Sequence, residues 1–491
     1  MKKFIIYLFS LLALSSCTED LSYDDSDFDY TTNSNYVNGL EVNKWIFNQM
    51  NANYYWSANY TQSFVNSLNF NTTNPETFFN SLLDVPSSKL SDSQAHDGNI
   101  YSGEHYPYSY MSSSGRASST TEYYYTLGFV FNVDTYDYNN VFFPIYYVMP
   151  SSSASEAGVT RDHCITAING IQLTMGNYYN YAMSLLYTDP PYTLTLSKLR
   201  ETNEGGTADI YCYKDSKQSS PIYITEQKTA SVSMRTTEVN PVHAYTTIDT
   251  QNGKVGYICY NEFTFYSTSF EEAFADLQAQ AIDKIIVDLR YNLGGYVDTS
   301  VKFSSHLAGS SNIGRVCCYM KNAEKTNLFA PEYITSRTPQ FDFNDIYFIT
   351  GGNTASASEI VINSMYGLGK NVIIVGETSC GKNVGSYSLS SSNLSGYSVS
   401  LQPITFQLYN NLNESNYANG FTPDYPYYES WCQERLDLGD TNEQLLSYTI
   451  SIIEASAPAA TLTSKSASQT STTKLSVPQL RNVQGAIYTE D

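Results

Sequence analysis

Between Lys254 and Glu377, apolar runs of strand length alternate with helix-period segments, and this alternation limits the fold more than any other feature of the chain. "KVGYICYNEF" reads as a strand, "FEEAFADLQAQAI" as a helix and "DKIIVDLR" as a buried strand. "DIYFITGG" is another strand, "SASEIVINSMYGLG" a helix and "NVIIVGE" a third apolar strand. Strands apolar along their whole length are covered on both faces, and helices between them give βαβ units on a parallel sheet. The expected α/β core spans residues 201–456 and starts near Gly205. It takes in alternating strand material at "GYSVSLQPITFQLYN" and ends in the helix "TNEQLLSYTISIIEA", where Asp440 and Glu443 form a capping signature.

After the last of these strands, Gly376 to Lys382 reads G-x-x-x-x-G-K. A nucleotide-binding loop also needs Ser or Thr after the Lys, to hold magnesium, and then a helix. Here Asn383 follows, Gly385 interrupts, and "NVGSYSLSSSNLSGYSV" has a period near two. No nucleotide is expected, so Lys382 needs another role. Upstream, Ser356 lies between a strand end and a helix start, flanked by the small residues Ala355 and Ala357. Helix-start N–H groups suit a developing oxyanion. Ser becomes a nucleophile when a base takes its proton, and Lys can be that base when burial lowers its pKa from about 10.4. The plainer alternatives are a helix N-cap for Ser356 and a solvated turn residue for Lys382. Glu359 reads as a first-turn acid that complements the helix dipole, and Asp288 with Arg290 as a structural ion pair. A His-based mechanism would require His306 or His243 to reach Ser356.

Upstream of the core, Val42, Trp45, Ile46 and Met50 recur at helical spacing, and Pro75 opens a second helical stretch. Residues 40–116 are expected to form an N-terminal helical segment followed by a polar linker from Ser87 to Arg116. The β-rich stretch 117–200 resembles a PDZ domain. The resemblance rests on Leu127-Gly128-Phe129, the block Ala154–Val159, Asp162 and Ala167–Gly170 in that order. It implies that Leu127, Gly128 and Phe129 offer backbone N–H groups to a peptide carboxylate while a strand edge adds the peptide.

"IIVDLRYNLGG", "TASASEI", "VGETSCGK" and "GFTPD", in this order, resemble the C-terminal processing peptidases, the S41 family of serine proteases. The similarity covers about Thr120 to Tyr428. It implies an α/β core of the ClpP/crotonase type with the PDZ-like unit inserted or preceding. Ser356 would be the nucleophile and Lys382 the general base. The oxyanion hole would comprise the N–H of Ala357 and that of Gly294 or Gly295. No metal or cofactor is implied, and the partners are protein or peptide substrates. Many members carry a Gln four positions beyond the Lys, where this chain has Ser386, so Ser386 or a group from elsewhere would orient the base. The rival reading is a surface protein that keeps the scaffold and binds peptides or other ligands without turnover.

The N-terminus reads "MKKFIIYLFSLLALSSC", with two Lys before an apolar run too short to span a bilayer. It resembles a bacterial lipoprotein signal (1–17) with Cys17 as the lipidated residue, followed by an acidic tether (18–39). Anchoring in the cell envelope follows, facing the periplasm or displayed from the outer membrane. Residues 457–491 are rich in Ser, Thr and Ala and are expected to be a disordered tail. Acidic residues outnumber basic ones 48 to 26, which argues against nucleic acid as a partner. The seven Cys beyond Cys17 form no CxxC and read mainly as buried small hydrophobes, with at most one or two disulfides.

Overall fold

The computed structural model describes residues 36, 38–84, 95–101, 104–112, 123–135, 140–188, 190–201, 208–214, 218–264, 269–394, 396–455 and 473–474. Cys17, the signal segment, nearly all of the tether and most of the expected tail lie outside them.

The N-terminal helices follow the sequence pattern. Helix α1 (Glu41–Asn53) buries Val42, Ile46, Phe47 and Met50 on one face. Helix α2 is Gln62–Ser67, and α3 (Pro75–Asn80) starts at Pro75 behind an Asn74 cap that accepts from the N–H of Glu76. The stretch expected to be a linker is ordered in part. Asp97 gathers three donors, from Tyr54, Tyr108 and Ser109, which ties this stretch to the N-terminal helices, and Tyr110–Ser112 joins a three-stranded sheet.

The β-rich unit contains β1 (Phe129–Phe131), β2 (Val141–Val148), β3 (Cys164–Ile168), helix α4 (Tyr178–Tyr187) and β4 (Tyr192–Arg200). It continues past residue 200 into β5 (Ala208–Lys214) and β6 (Gln218–Val232), with strand order β5-β6-β4-β3-β2. The expected boundary near Gly205 is therefore corrected. The glycine pair there falls between two strands of one sheet, and β6 pairs with β4 from Tyr192 to Arg200. Thr473 and Lys474, in the expected tail, pair with Asp134 and Thr135 at the far edge.

The α/β core comprises β7 (Val242–Thr250), β8 (Gly253–Tyr260), α5 (Ser269–Ala279), β9 (Lys284–Asp288), α6 (Val297–Leu307) and β10 (Val316–Lys321). It continues through β11 (Asp345–Thr350), α7 (Ala357–Gly367), β12 (Asn371–Gly376), β13 (Val384–Ser386), β14 (Tyr397–Gln402) and β15 (Ile404–Tyr409). It ends with β16 (Tyr425–Pro426) and α8 (Gln444–Ala455). The main sheet runs β7-β8-β9-β11-β12-β16 and is parallel from β8 onward, while β7 is an antiparallel edge. One face packs α5, α6 and α7 around Phe274, Phe303 and Ile360; the other packs α8 around Leu445, Leu446 and Ile453. In parallel sheets of this kind, ligand crevices lie outside the carboxyl ends of the strands. The loops after β9, β11 and β12 leave this sheet at that end.

Two expectations about side chains resolve here. Asp288 and Arg290 do form a buried ion pair, and Glu443 completes it through both guanidinium Nη atoms at 2.8 and 3.0 Å. Glu443 also accepts from the N–H of Leu446, so it caps α8 and neutralises Arg290 at once. Cys164, Cys259, Cys317, Cys318, Cys380 and Cys432 are all free thiols.

Candidate active site

Three loops meet at the ends of β9, β11 and β12, and backbone groups lace them together. The N–H of Ala355 donates to the carbonyl of Asn292 (3.1 Å), and the hydroxyl of Thr354 donates to the carbonyl of Leu289 (2.8 Å). The N–H of Cys380 donates to the carbonyl of Thr354 (2.8 Å). Ser356 stands at the junction, directly before α7, with φ 58° and ψ −115°. A non-glycine residue in that region carries strain of about 1–3 kcal/mol, which the surrounding lacing must offset.

Glu359, one turn into α7, ties the nucleophile candidate to the base candidate. Its Oε2 accepts from the N–H of Ser356 (2.9 Å) and of Lys382 (2.8 Å). Its Oε1 accepts from the Ser379 hydroxyl (2.6 Å) and the N–H of Gly381 (2.7 Å). The turn that imitates a phosphate loop thus directs its amides at a carboxylate of the same chain. Burial pushes the Glu359 carboxyl up to about 7, against these four donors, which favour the anion. The sequence reading of Glu359 as a dipole residue was too weak. The Ser356-x-x-Glu359 spacing was its visible signal, but the link to Lys382 had none.

Lys382 is buried, and that burial drives its amine down to about 8 although Cys380, Asp97 and Glu359 pull the other way. Its Nζ lies over the Tyr108 ring, 4.8 Å from the centroid. Ser386, on β13, is buried as well, but no hydrogen bond joins its hydroxyl to the Lys382 amine among the described residues. The expected orienting contact from Ser386 to Lys382 is therefore absent there.

The loop of Gly294 and Gly295 lies against the Ser356 turn. A Cβ on Gly294 would sit 2.8 Å from both the Ala355 carbonyl and Ser356 Cβ, and 3.0 Å from the Ala357 nitrogen. Only glycine permits that approach. Gly294 spends its own N–H on Asn292 Oδ1 (2.8 Å). The N–H groups of Gly295 and Ala357 make no hydrogen bond among the described residues, so they are the pair left for an oxygen between them. Gly420, in "GFTPD", packs on the Ser379 carbonyl, and Phe421 donates its N–H to Ser379 Oγ (2.7 Å), bracing the Lys382 turn from behind.

The remaining predicted residues are elsewhere. Leu127 and Phe129 are buried in the separate hydrophobic cluster of the β-rich unit. The N–H of Gly128 is taken by Thr126 Oγ1 (3.2 Å). His306 and Phe341 share the α6 side of the core, with His306 Nδ1 at the Pro339 carbonyl. The His243 ring packs at a tilt against Tyr147.

Residues 254–427 match peptidase family S41, and residues 41–110 match the peptidase S41 N-terminal domain. Over 243 residues the chain is 25% identical to a carboxyl-terminal-processing protease of Picosynechococcus sp., an overlap of 48% of this chain and 49% of that protein. The chain thus spans about half the length of the curated relative it matches. A solved structure from Bacteroides fragilis NCTC 9343, described as an S41 protease, has this fold at TM-score 0.60 and 22% identity, over 83% of this chain and 96% of the other. The photosystem II D1 C-terminal processing protease superposes at TM-score 0.48 and 14% identity, over 86% and 98% of the two chains.

Proposed function

Because the chain belongs to peptidase family S41, we propose that it is a serine endopeptidase working through Ser356 and Lys382. The observation that carries this reading is the shared carboxylate. Glu359 holds the backbones of both residues, one strained at a helix start and one buried with its amine near neutrality.

In the first step, neutral Lys382 Nζ takes the Ser356 Oγ proton as Oγ attacks the peptide carbonyl carbon. The oxyanion that forms accepts from the N–H groups of Ala357 and Gly295. Collapse breaks the C–N bond, and the Lys382 ammonium returns its proton to the leaving amine. Water, deprotonated by Lys382, then hydrolyses the ester and restores the Ser356 hydroxyl. Substrates are proteins or peptides. The β-rich unit presents C-terminal segments of substrate by strand addition, which is supported by the PDZ-like order of its motifs. Strand β1 offers an edge for it, since among the described residues it pairs with β2 alone. Cys17 carries the lipid that anchors the protein in the cell envelope, a reading supported by the sequence before it.

The test is cleavage of unfolded casein by wild type, Ser356→Ala and Lys382→Ala. Each substitution should lower the rate at least ~100-fold, the usual span of a lost proton-transfer group. Cleavage by neither wild type nor variants, with C-terminal peptides still bound, would favour a non-catalytic binding protein.

A further inference from the structure

We propose that Tyr108, delivered by the N-terminal domain, is the positioning residue that holds the Lys382 amine in place of Ser386. The proposal rests on Lys382 acting as the base. Its ammonium lies 4.8 Å from the centre of the Tyr108 ring, within the range over which an aromatic face attracts a cation. The ring is itself fixed. Asp97 Oδ1 accepts from the N–H groups of Tyr108 and Ser109, both at 2.9 Å, while Asp97 Oδ2 accepts from the Tyr54 hydroxyl at 2.7 Å. Ser109 Oγ accepts from the N–H of Ile404, which joins this segment to the strand after β14. The ring of His96 packs beside Tyr108, with His96 Nε2 at the Ala418 carbonyl, and that same carbonyl lies against Gly381. The Tyr108 hydroxyl reaches Cys380 Sγ at 3.7 Å. His96 and Tyr108 thus hold the Lys382 turn through contacts separate from those of Glu359.

A ring face favours the charged amine, so it opposes the burial that lowers the Lys382 pKa. Asp97, Glu359 and Cys380 are the other titratable groups acting on that amine; Tyr417 lies next to Glu359, and His96 next to the ring. Replacing the ring by an aliphatic side chain should leave Lys382 less charged and less fixed.

The experiment compares the full-length protein with Tyr108→Leu and Tyr108→Phe. Two readouts are used: pH profiles of kcat and KM on an unfolded substrate, and the pKa of Lys382 from competitive acetylation quantified on its peptide. Tyr108→Leu should lower kcat about tenfold or more with KM little changed, and shift the Lys382 midpoint downward by several tenths of a pH unit. Tyr108→Phe, which retains the ring, should restore both the midpoint and most of kcat. A wild-type midpoint and kcat in Tyr108→Leu would overturn the proposal, as would Tyr108→Phe being as impaired as Tyr108→Leu. Should Tyr108→Leu not fold, a Tyr108→Phe midpoint displaced as far as that of Tyr108→Met would overturn it equally. The acetylation midpoint is read without turnover, so a protein that cleaves nothing would sink the Lys-base reading while leaving the ring contact measurable.

Discussion

The chemistry proposed at Ser356 requires a neutral amine, so its pH dependence has a definite sign. With the folded pKa lowered to about 8, Lys382 is mostly protonated at neutral pH and mostly neutral a unit above its midpoint. The kcat/KM for casein should therefore climb through pH 8 and level off above it; a flat profile from pH 6 to 10 would contradict this base. Glu359 is the residue whose loss should be felt most widely. A Gln there would turn an NH₂ toward donors that now meet carboxylate oxygens. Leaving a buried donor unmatched costs about 1–3 kcal/mol, so Glu359→Gln should lower the melting temperature and also abolish most cleavage. An activity loss without a shift in melting would indicate that the carboxylate acts otherwise than by holding the two backbones.

At the level of elements, the core sheet is joined to α8 by charge as well as by apolar packing. Asp288 ends β9, Arg290 follows it, and Glu443 begins α8, all three buried. Removing one partner of a buried ion pair strands the other, at a cost of about 3–5 kcal/mol. Glu443→Gln should therefore destabilise the protein strongly in denaturant titration at pH 7. The effect should fade in acid. Arg290 and Arg161 hold the folded-state pKa of Glu443 down at about 2, against an ordinary value of 4.5. A depressed carboxylate contributes stability above its unfolded pKa and loses it as pH falls through the folded one. The wild-type and variant curves should thus converge between about pH 4.5 and 2, and parallel curves there would refute the assignment.

Across the whole molecule, the N-terminal helices form one hydrophobic cluster with strands of the core, through Val384, Val399, Leu401 and Ile404. The N–H of Tyr55 donates to the carbonyl of Ile404 (2.8 Å), and Lys325 and the Tyr55 hydroxyl both reach Gln407. Docking of the N-terminal domain and integrity of the strands that follow the Lys382 turn are therefore one property. Ile404→Ala should cost about 2–5 kcal/mol. It should also expose residues 41–84 to limited proteolysis and reduce cleavage in the same preparation. Proteolytic exposure with full activity would show that the domain is an appendage and not part of the site.

Apolar strands alternating with amphipathic helices determine a parallel sheet by themselves, because period and run length are local properties. For the same reason the helical pattern of Val42, Trp45, Ile46 and Met50, the helix start at Pro75 and the strand-turn-helix around Ser356 could be read directly. The ion pair of Asp288 and Arg290 was equally legible, lying two residues apart on one strand end. What the sequence did not carry was any contact made at long range by a residue of unremarkable type. Tyr108 lies in a polar, glycine-containing stretch that resembles a linker, and the contacts of Asp97, Ser109 and His96 with distant residues bring it over Lys382. Glu443 looked like a helix cap, and its Arg290 partner is 153 positions away. The boundary near Gly205 was misplaced because β5 and β6, on the far side of that glycine pair in sequence, join β4 through long-range pairing that local composition does not encode. Local chemistry nominated Ser356 and Lys382. Three loops and an N-terminal domain, meeting through backbone hydrogen bonds and burial, decided which groups surround them.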